Sequence, residues 1–181
     1  MSRLALALLC IAGTAHAKKG DDERAHKAPH DPPPAPGTKP DKLVDLFNEH
    51  THEWLAIDPT LPVPNVDRFL RDHFTNKATA MDAKLIPILL SAAAKFSVDT
   101  VYVVSGFRHP KYNLMLRKKG HQVARDSEHT HGHAIDFYLP HVTTPQLHAW
   151  AKAQKIGGVG LYMESGFVHM DVGPIRYWSG D

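Results

Sequence analysis

The sequence predicts an α+β domain in which helices pack on one side of an antiparallel sheet and polar functional groups lie on the other face. Two segments, Ala134–Leu139 and Phe167–Val172, alternate apolar and polar residues, as strands with one buried face do. A longer segment, Asp82–Lys95, has apolar residues at helical spacing and predicts a helix that covers the buried face. The polar positions of the two alternating segments include Asp136, His169 and Asp171.

The first 40 residues are predicted to stand outside this domain. Arg3, the apolar run Leu4–Ala12 and the small-x-small site Ala15–Ala17 indicate a signal peptide over residues 1–17. Its apolar run is shorter than the roughly 20 residues that cross a bilayer, so no stable membrane insertion is expected after cleavage. Residues 18–40 are rich in proline and lack large apolar side chains, which predicts a disordered tether. Residues 41–181 remain as the domain.

Composition excludes several classes of function. Acidic and basic residues balance within residues 41–181 and no basic face stands out, so nucleic acid is not an expected partner. The single cysteine, Cys10, lies in the predicted signal peptide, so the mature chain has neither a disulfide nor a nucleophilic thiol. We expect a monomer.

The first half of the domain predicts a hairpin, two helices and a buried strand. Leu43–Phe47 and Trp54–Ile57 flank a polar stretch and form the hairpin. Asn65 is expected to cap a short helix, and the helix of Asp82–Lys95 is expected to begin irregularly because it contains Pro87. The buried strand is Val101–Val104.

The second half predicts further helices and strands. Pro110 is expected to delay the next helix to Asn113–Lys119, with Gly120 as its end. A helix starts at Thr144 and ends at the Gly157-Gly158 pair, and a tight turn then joins strands Val159–Tyr162 and Phe167–Val172.

The stretch Ser127–Asp136, which reads SEHTHGHAID, contains the residues best suited to bind a metal ion. Gly132 permits a turn that brings His129 beside Asp136, and His169 shares a sheet face with that carboxylate. Two imidazoles and one carboxylate with a fourth position left for water are what a catalytic zinc centre requires. The alternative is a set of ordinary polar residues on a solvated face. His131 and His133 are interpreted as rim residues, although an HxHxH run can itself bind metal.

The motif resembles a known group of enzymes. SEHTHGHAID matches the SxHxxGxAxD pattern of the zinc D-Ala-D-Ala carboxypeptidase, lysostaphin and hedgehog-like metallopeptidases. Within that group, the chain is most similar to the murein endopeptidase K-like subfamily. The likeness extends from Leu43 to Trp178 and includes the segments LFNEHT, FLRDH, SGFRHPKYN, GGVG and FVHMDVGPIRYW.

The resemblance implies roles for individual residues. His129, Asp136 and His169 are the zinc ligands by this likeness, and Arg108 lies at the cleft, where its guanidinium suits a substrate carboxylate. A structural salt bridge is the alternative for Arg108. Tyr138, Arg176 and Trp178 are further candidates to line the groove, with a role in packing as the alternative.

The chain departs from many relatives at the last strand. Phe167 stands where several branches carry a catalytic histidine in an HxH motif. Asp171 is therefore the leading general-base candidate, ahead of Glu164, and its alternative is a carboxylate that orients a ligand. The opposite register, with His169 as the base and Asp171 as the ligand, stays open.

The function that follows is an exported zinc metallopeptidase of the periplasm or cell envelope. It is expected to cleave peptide stems or crosslinks of peptidoglycan that contain D-amino acids, as an endopeptidase or as a carboxypeptidase. The alternative is a non-catalytic zinc-containing module that binds peptidoglycan or a protein.

Overall fold

The computed structural model describes residues 44–57, 65–121 and 123–180. The predicted signal peptide and tether lie outside these residues. The described strands are β1 (Val44–Asn48), β2 (Glu53–Ile57), β3 (Thr100–Ser105), β4 (Ala134–Tyr138), β5 (Gly158–Tyr162), β6 (Phe167–Asp171) and β7 (Arg176–Gly180). The helices are α1 (Val66–Phe69), α2 (Leu85–Phe96), α3 (Pro110–Lys118) and α4 (Thr144–Gln154), and a 3₁₀ turn spans Glu128–His131.

The strands form one mixed sheet in the order β2-β1-β3-β4-β6-β5-β7. The predicted hairpins β1–β2 and β5–β6 are antiparallel, as are the pairs β3–β4 and β4–β6. The prediction of a purely antiparallel sheet is wrong for two pairs, because β1 and β3 are parallel and so are β5 and β7. The chain reaches β3 only after passing through α1 and α2, and this long connection allows β3 to run in the direction of β1.

One face of the sheet and the helices α2 and α4 form most of the hydrophobic core. Alternate residues of the central strands are fully buried, including Val103, Phe137, Val168 and Met170. Helix α2 contributes Leu85 and Leu89 to this core, and α4 contributes Leu147 and Ala151. Burial of this many large side chains supplies the main driving force for folding, at about 1.5–3 kcal/mol for each one buried. The predicted faces of the alternating segments are therefore confirmed.

The opposite face carries a row of functional side chains across four strands. Asp136 pairs with His169 in the ladder, His169 pairs with Gly160, and Gly160 pairs with Trp178. Residues paired in a ladder point to the same side of the sheet. This row therefore brings side chains that are far apart in the sequence onto one surface.

Three helix boundaries differ from the sequence prediction for local reasons. Helix α2 begins at Leu85, so Pro87 falls in the first turn, where its missing N–H leaves no hydrogen bond unmade. Helix α3 begins at Pro110 and not at Asn113, because proline is well suited to the first helical position and the His109 side chain accepts from Lys111 N. Helix α4 starts at Thr144 as predicted, but it ends at Gln154, before the glycine pair.

None of the helices in the described part of the chain combines the length and the apolar character that a membrane crossing requires.

Candidate metal centre

Three buried donor atoms converge on the open face of the sheet. His129 Nε2 lies 3.1 Å from Asp136 Oδ1 and 3.1 Å from His169 Nδ1. His169 Nδ1 lies 2.8 Å from the same oxygen of Asp136. Among the described residues, this trio is the group of at least three His, Cys, Asp or Glu side chains able to share a metal ion. The residues proposed as ligands from the sequence thus lie together.

A tight turn at Gly132 folds His129 back beside Asp136. The 3₁₀ turn ends at Gly132, whose φ of +75° is in the left-handed region that favours glycine. A Cβ at this position would lie 2.5 Å from the carbonyl oxygen of Ala80, so there is also no room for a side chain. Strand β4 then begins at Ala134, and its pairing with β6 sets Asp136 directly opposite His169.

Each imidazole has an inner nitrogen, which faces the other donor atoms, and an outer nitrogen, which faces away from them. A hydrogen bond from the outer nitrogen fixes the orientation of each ring. His129 Nδ1 donates to the Gly106 carbonyl oxygen at 2.7 Å, and His169 Nε2 donates to Asp171 Oδ2 at 3.0 Å. Neither acceptor carries a proton to give, so these bonds determine which nitrogen of each neutral ring is protonated. The inner nitrogens are left with their lone pairs directed at each other and at Asp136.

This convergence of three acceptors fits a bound metal ion. Two imidazole lone pairs and a carboxylate oxygen repel one another unless a cation lies among them. A proton on one ring relieves the same repulsion: burial opposes it, but the hydrogen bonds of His169 with Asp136 and Asp171 hold the pKa of His169 above its ordinary value. Burial lowers the pKa of His129, which keeps its ring neutral. A tetrahedral zinc ion with bonds of about 2.0–2.1 Å separates its ligand atoms by about 3.3 Å, so small outward movements would suffice.

Asp171 is fully buried behind His169 and is saturated with hydrogen bonds. Its Oδ1 accepts from Gly158 N at 2.8 Å and from Gly173 N at 2.9 Å. Its Oδ2 accepts from His169 and, at 2.7 Å, from Arg176 Nη2. Burial alone would raise the pKa of Asp171, but the hydrogen bonds from His169 and the two glycine amides lower it to about 2. This geometry favours the alternative in which Asp171 orients His169 over general-base catalysis or metal ligation.

Arg108 connects the SGFR segment to the centre in two ways. Its backbone N–H donates to the carbonyl oxygen of His129 at 3.0 Å. Its Nη2 lies 3.6 Å from Asp136 Oδ2, and its side chain is 12% exposed. The guanidinium therefore stands at the edge of the donor cluster and reaches the cleft, where it could also contact a substrate.

Comparison with known proteins identifies the family to which the chain belongs. Residues 38–178 match the family described as peptidoglycan L,D-endopeptidase MepK. The chain belongs to this MepK family. Family membership makes it a metallopeptidase, and His129, Asp136 and His169 are a group able to hold a metal ion.

Individual MepK proteins are similar over most of the domain. The peptidoglycan L,D-endopeptidase MepK of Escherichia coli K12 is 34% identical over 145 residues, which cover 76% of this chain and 80% of that protein. The protein of the same name from Shigella flexneri has the same identity and coverage. The probable MepK of Haemophilus influenzae is 33% identical over 117 residues, which cover 64% of this chain and 63% of that one. Solved structures gave no significant match. The carboxypeptidase alternative has no support among these names.

The cleft of this MepK-family chain has a volume of about 580 Å³ and contains the donor trio. Its lining includes Arg108, Leu116, His121, Tyr162, Phe167 and Trp178. Arg176 also lines it, as predicted, whereas Tyr138 donates to Glu49 and does not contribute to this lining.

His131 and His133 do not belong to the donor trio. His131 Nε2 contacts Asp126 Oδ1 at 2.8 Å, and His133 Nδ1 contacts Glu128 Oε2 at 3.2 Å. Both imidazoles are about half exposed, at 51% and 45%. Each imidazole is therefore half exposed and paired with an acidic neighbour.

Asp72 supports the centre, and the sequence analysis gave it no role. It is almost completely buried, and its Oδ2 accepts from His109 N at 2.7 Å. The neighbouring Leu70 carbonyl accepts from Phe107 N at 2.7 Å, and a Cβ on Gly106 would lie 2.6 Å from that same carbonyl oxygen. The FLRDH segment thus fixes the loop that supplies the acceptor for His129 and the side chain of Arg108. The available signal was the presence of FLRDH among the family-like segments.

The close approach of Asp171, and not the end of helix α4, requires a glycine at position 158. A Cβ on Gly158 would lie 2.5 Å from Asp171 Oδ2 and 2.8 Å from Arg176 Nη1. We expect Gly158→Ala to displace the carboxylate, lower the melting temperature by an amount equivalent to about 1–3 kcal/mol, and weaken metal binding. Calorimetry and metal analysis would measure both effects, with the exposed Ser179→Ala as the control. Unchanged melting and full metal content would show that the contact is not restrictive.

Proposed function

We propose that the chain is an exported, zinc-dependent endopeptidase that hydrolyses an L,D-peptide bond in the peptide stems or crosslinks of peptidoglycan. The observation that carries this proposal is the buried His129, Asp136 and His169 trio on an open cleft. The names of the relatives support the substrate and the type of bond. The predicted signal peptide supports a periplasmic or envelope location.

The protein's own residues would hold and orient the metal. His129 Nε2, Asp136 Oδ1 and His169 Nδ1 are the proposed ligand atoms, and Gly106 O and Asp171 fix the two rings from outside. A zinc ion bound there would polarise the scissile carbonyl and lower the pKa of a bound water toward about 7. Two histidines and one carboxylate are a ligand set typical of catalytic zinc.

Arg108 is proposed to bind a carboxylate of the peptide stem. Its planar guanidinium reaches the cleft beside Asp136 and can make two parallel hydrogen bonds to a carboxylate. This contact would set the register of the peptide in the cleft. Arg108 would then act on binding and positioning.

We expect Arg108→Lys to lower kcat/KM by about 10- to 100-fold, because lysine keeps the charge but loses the second hydrogen bond. Steady-state kinetics on purified stem peptides would measure this effect, and Arg117→Lys on the exposed surface of α3 is the matched control. A large fall in melting temperature with unchanged specific activity would instead assign Arg108 to a structural ion pair with Asp136.

A non-catalytic binding module is the second candidate. The specific observation in its favour is Phe167, which stands where several branches of the group carry a catalytic histidine. Digestion of purified peptidoglycan with and without a chelator, followed by mass analysis of the fragments, separates the two. Chelator-sensitive release of peptides cut at an L,D bond supports the enzyme. Binding to peptidoglycan without any released fragment supports the module.

A further inference from the structure

The lining of the cleft contains a tyrosine on the same sheet face as the donor trio. Tyr162 lies on β5, two residues beyond Gly160, and Gly160 is paired with His169. Side chains two residues apart on a strand share a face. Tyr162 therefore rises on the face that carries the metal ligands, and it lines the same cleft.

Trp178 connects the Tyr162 hydroxyl to the proposed metal ligand His169. Gly160 has no side chain, and the Trp178 indole takes that space, so that a Cβ on Gly160 would lie 2.8 Å from Trp178 Nε1. The same indole packs against the His169 ring with centroids 5.1 Å apart. Trp178 Nε1 also donates to the Tyr162 hydroxyl oxygen at 3.1 Å, so one indole contacts both the His169 ring and the Tyr162 hydroxyl.

The hydrogen bond from Trp178 leaves the hydroxyl proton of Tyr162 free to be donated to another group. An indole N–H can only donate, so the Tyr162 oxygen accepts this bond and its own proton points elsewhere. No side chain or carbonyl within the described ranges accepts that proton. Phe167 stacks on the Tyr162 ring at a centroid distance of 4.6 Å and fixes its orientation. Burial raises the pKa of Tyr162, so the hydroxyl keeps its proton at neutral pH.

We propose that Tyr162 is a catalytic residue that donates a hydrogen bond to the scissile carbonyl oxygen as it becomes negatively charged. The inference rests on the proposed endopeptidase function. When the oxygen of water forms a bond to the carbonyl carbon, the π electron pair moves onto the carbonyl oxygen. Tyr162 stabilises that charge and retains its proton. The electron pair then returns to re-form the carbonyl, the C–N bond breaks, and the proton of the attacking water is transferred to the nitrogen of the leaving amine.

Trp178 is a positioning residue in this arrangement. Its N–H fixes the oxygen of Tyr162 and increases the acidity of the proton that Tyr162 donates, because chains of hydrogen bonds polarise one another. Its ring also fills the space above Gly160 and supports His169. Trp178→Phe keeps an aromatic ring there and removes the N–H.

The test compares Tyr162→Phe with wild-type protein. We expect kcat on a stem peptide to fall by about 100- to 1,000-fold, the usual effect of removing one oxyanion donor, with KM within about threefold. Zinc content and melting temperature should stay at the wild-type values. Tyr102→Phe is the matched control, because Tyr102 lies on the same sheet face but outside the cleft lining.

A binding measurement adds a readout that does not depend on turnover. A phosphinate analogue of the stem peptide imitates the tetrahedral oxyanion, so Tyr162→Phe should weaken its Kd by about 100-fold and change the Kd of the uncleaved peptide little. If Trp178 acts through Tyr162, the Tyr162→Phe/Trp178→Phe double variant should lose no more than Tyr162→Phe alone.

The outcomes separate this inference from the function on which it rests. Wild-type protein that releases no fragments overturns the proposed function and this inference with it. Active wild-type protein together with a Tyr162→Phe variant within threefold of its kcat overturns only the role of Tyr162. Equal weakening of the phosphinate and the uncleaved peptide would also overturn it, because the contact would then belong to general substrate binding.

Discussion

The variants His129→Ala, Asp136→Ala and His169→Ala are each expected to lose bound zinc and peptidoglycan hydrolysis together. Their donor atoms lie 2.8–3.1 Å from one another, and each removal leaves two ligands where a stable catalytic site uses three. Activity should fall by more than about 1,000-fold, because the metal supplies both the activated water and the polarisation of the carbonyl. Metal analysis of purified protein and fragment release from peptidoglycan would measure the two losses.

The control for this prediction lies in the same motif. His131→Ala and His133→Ala remove imidazoles that are about half exposed and paired with Asp126 and Glu128. Both variants should keep about one zinc ion per chain and near wild-type activity. An empty site in His131→Ala together with a filled site in His129→Ala would show that the ligand assignment is wrong.

The local parts of the site could be predicted because short-range sequence determines them. A glycine between His129 and Asp136 indicates a turn, and that turn is found at Gly132 with a positive φ. Period-two alternation in Phe167–Val172 fixed which side chains share a face, and His169 lies on the face of Asp136 as expected. These inferences needed only the backbone preferences of glycine and the geometry of a strand.

The sheet's long-range order could not be obtained in the same way. Whether β1 and β3 run parallel or antiparallel depends on how the intervening helices pack, and the residues of β3 alone do not indicate their parallel pairing. Strand β7 was not predicted, because Arg176–Gly180 is largely exposed at the sheet edge and lacks an apolar alternation. Its pairing with β5 nevertheless places Trp178 over Gly160 and supplies Arg176 to Asp171.

A glycine in the sequence can indicate either the end of a helix or a position with no room for a side chain. Gly157 and Gly158 follow a helix, so helix termination was the natural interpretation, yet Lys155 already ends α4 in the left-handed conformation. The structure gives the pair a different requirement, since Cβ atoms there would lie 2.0 Å from the Asp171 carbonyl oxygen and 2.5 Å from Asp171 Oδ2. These close contacts join residues 13 and 14 positions apart, so a local sequence pattern does not reveal them.

The role of Asp171 likewise could not be predicted from the sequence, because it depends on residues that only the fold brings together. On a strand, a carboxylate two residues after a proposed ligand could face the substrate or support the ligand from behind. The difference depends on Gly158, Gly173 and Arg176, which surround Asp171 with donors. With both oxygens occupied, Asp171 has the surroundings of a group that orients His169 and raises its basicity.

Asp171→Asn is the substitution that decides between these roles. It keeps the shape of the side chain, but an amide nitrogen must face a donor, either the two glycine amides or His169 Nε2 and Arg176. If Asp171 orients His169, zinc affinity should weaken by about 10- to 100-fold, and activity should recover when zinc is added in excess. Zinc titration by competition with a chelating dye, followed by fragment release at low and high zinc, would measure both effects.

The matched control is Asp126→Asn, which changes an exposed carboxylate that is also paired with a histidine but lies outside the donor trio. It should leave zinc affinity and hydrolysis unchanged. Full zinc affinity in Asp171→Asn with hydrolysis lowered by about 100-fold or more at every zinc concentration would identify Asp171 as the general base. Complete loss of metal that excess zinc does not restore would make Asp171 a ligand and leave His169 as the candidate base. Only recovery with added zinc fits a carboxylate whose hydrogen bond holds the inner nitrogen of His169 toward the metal.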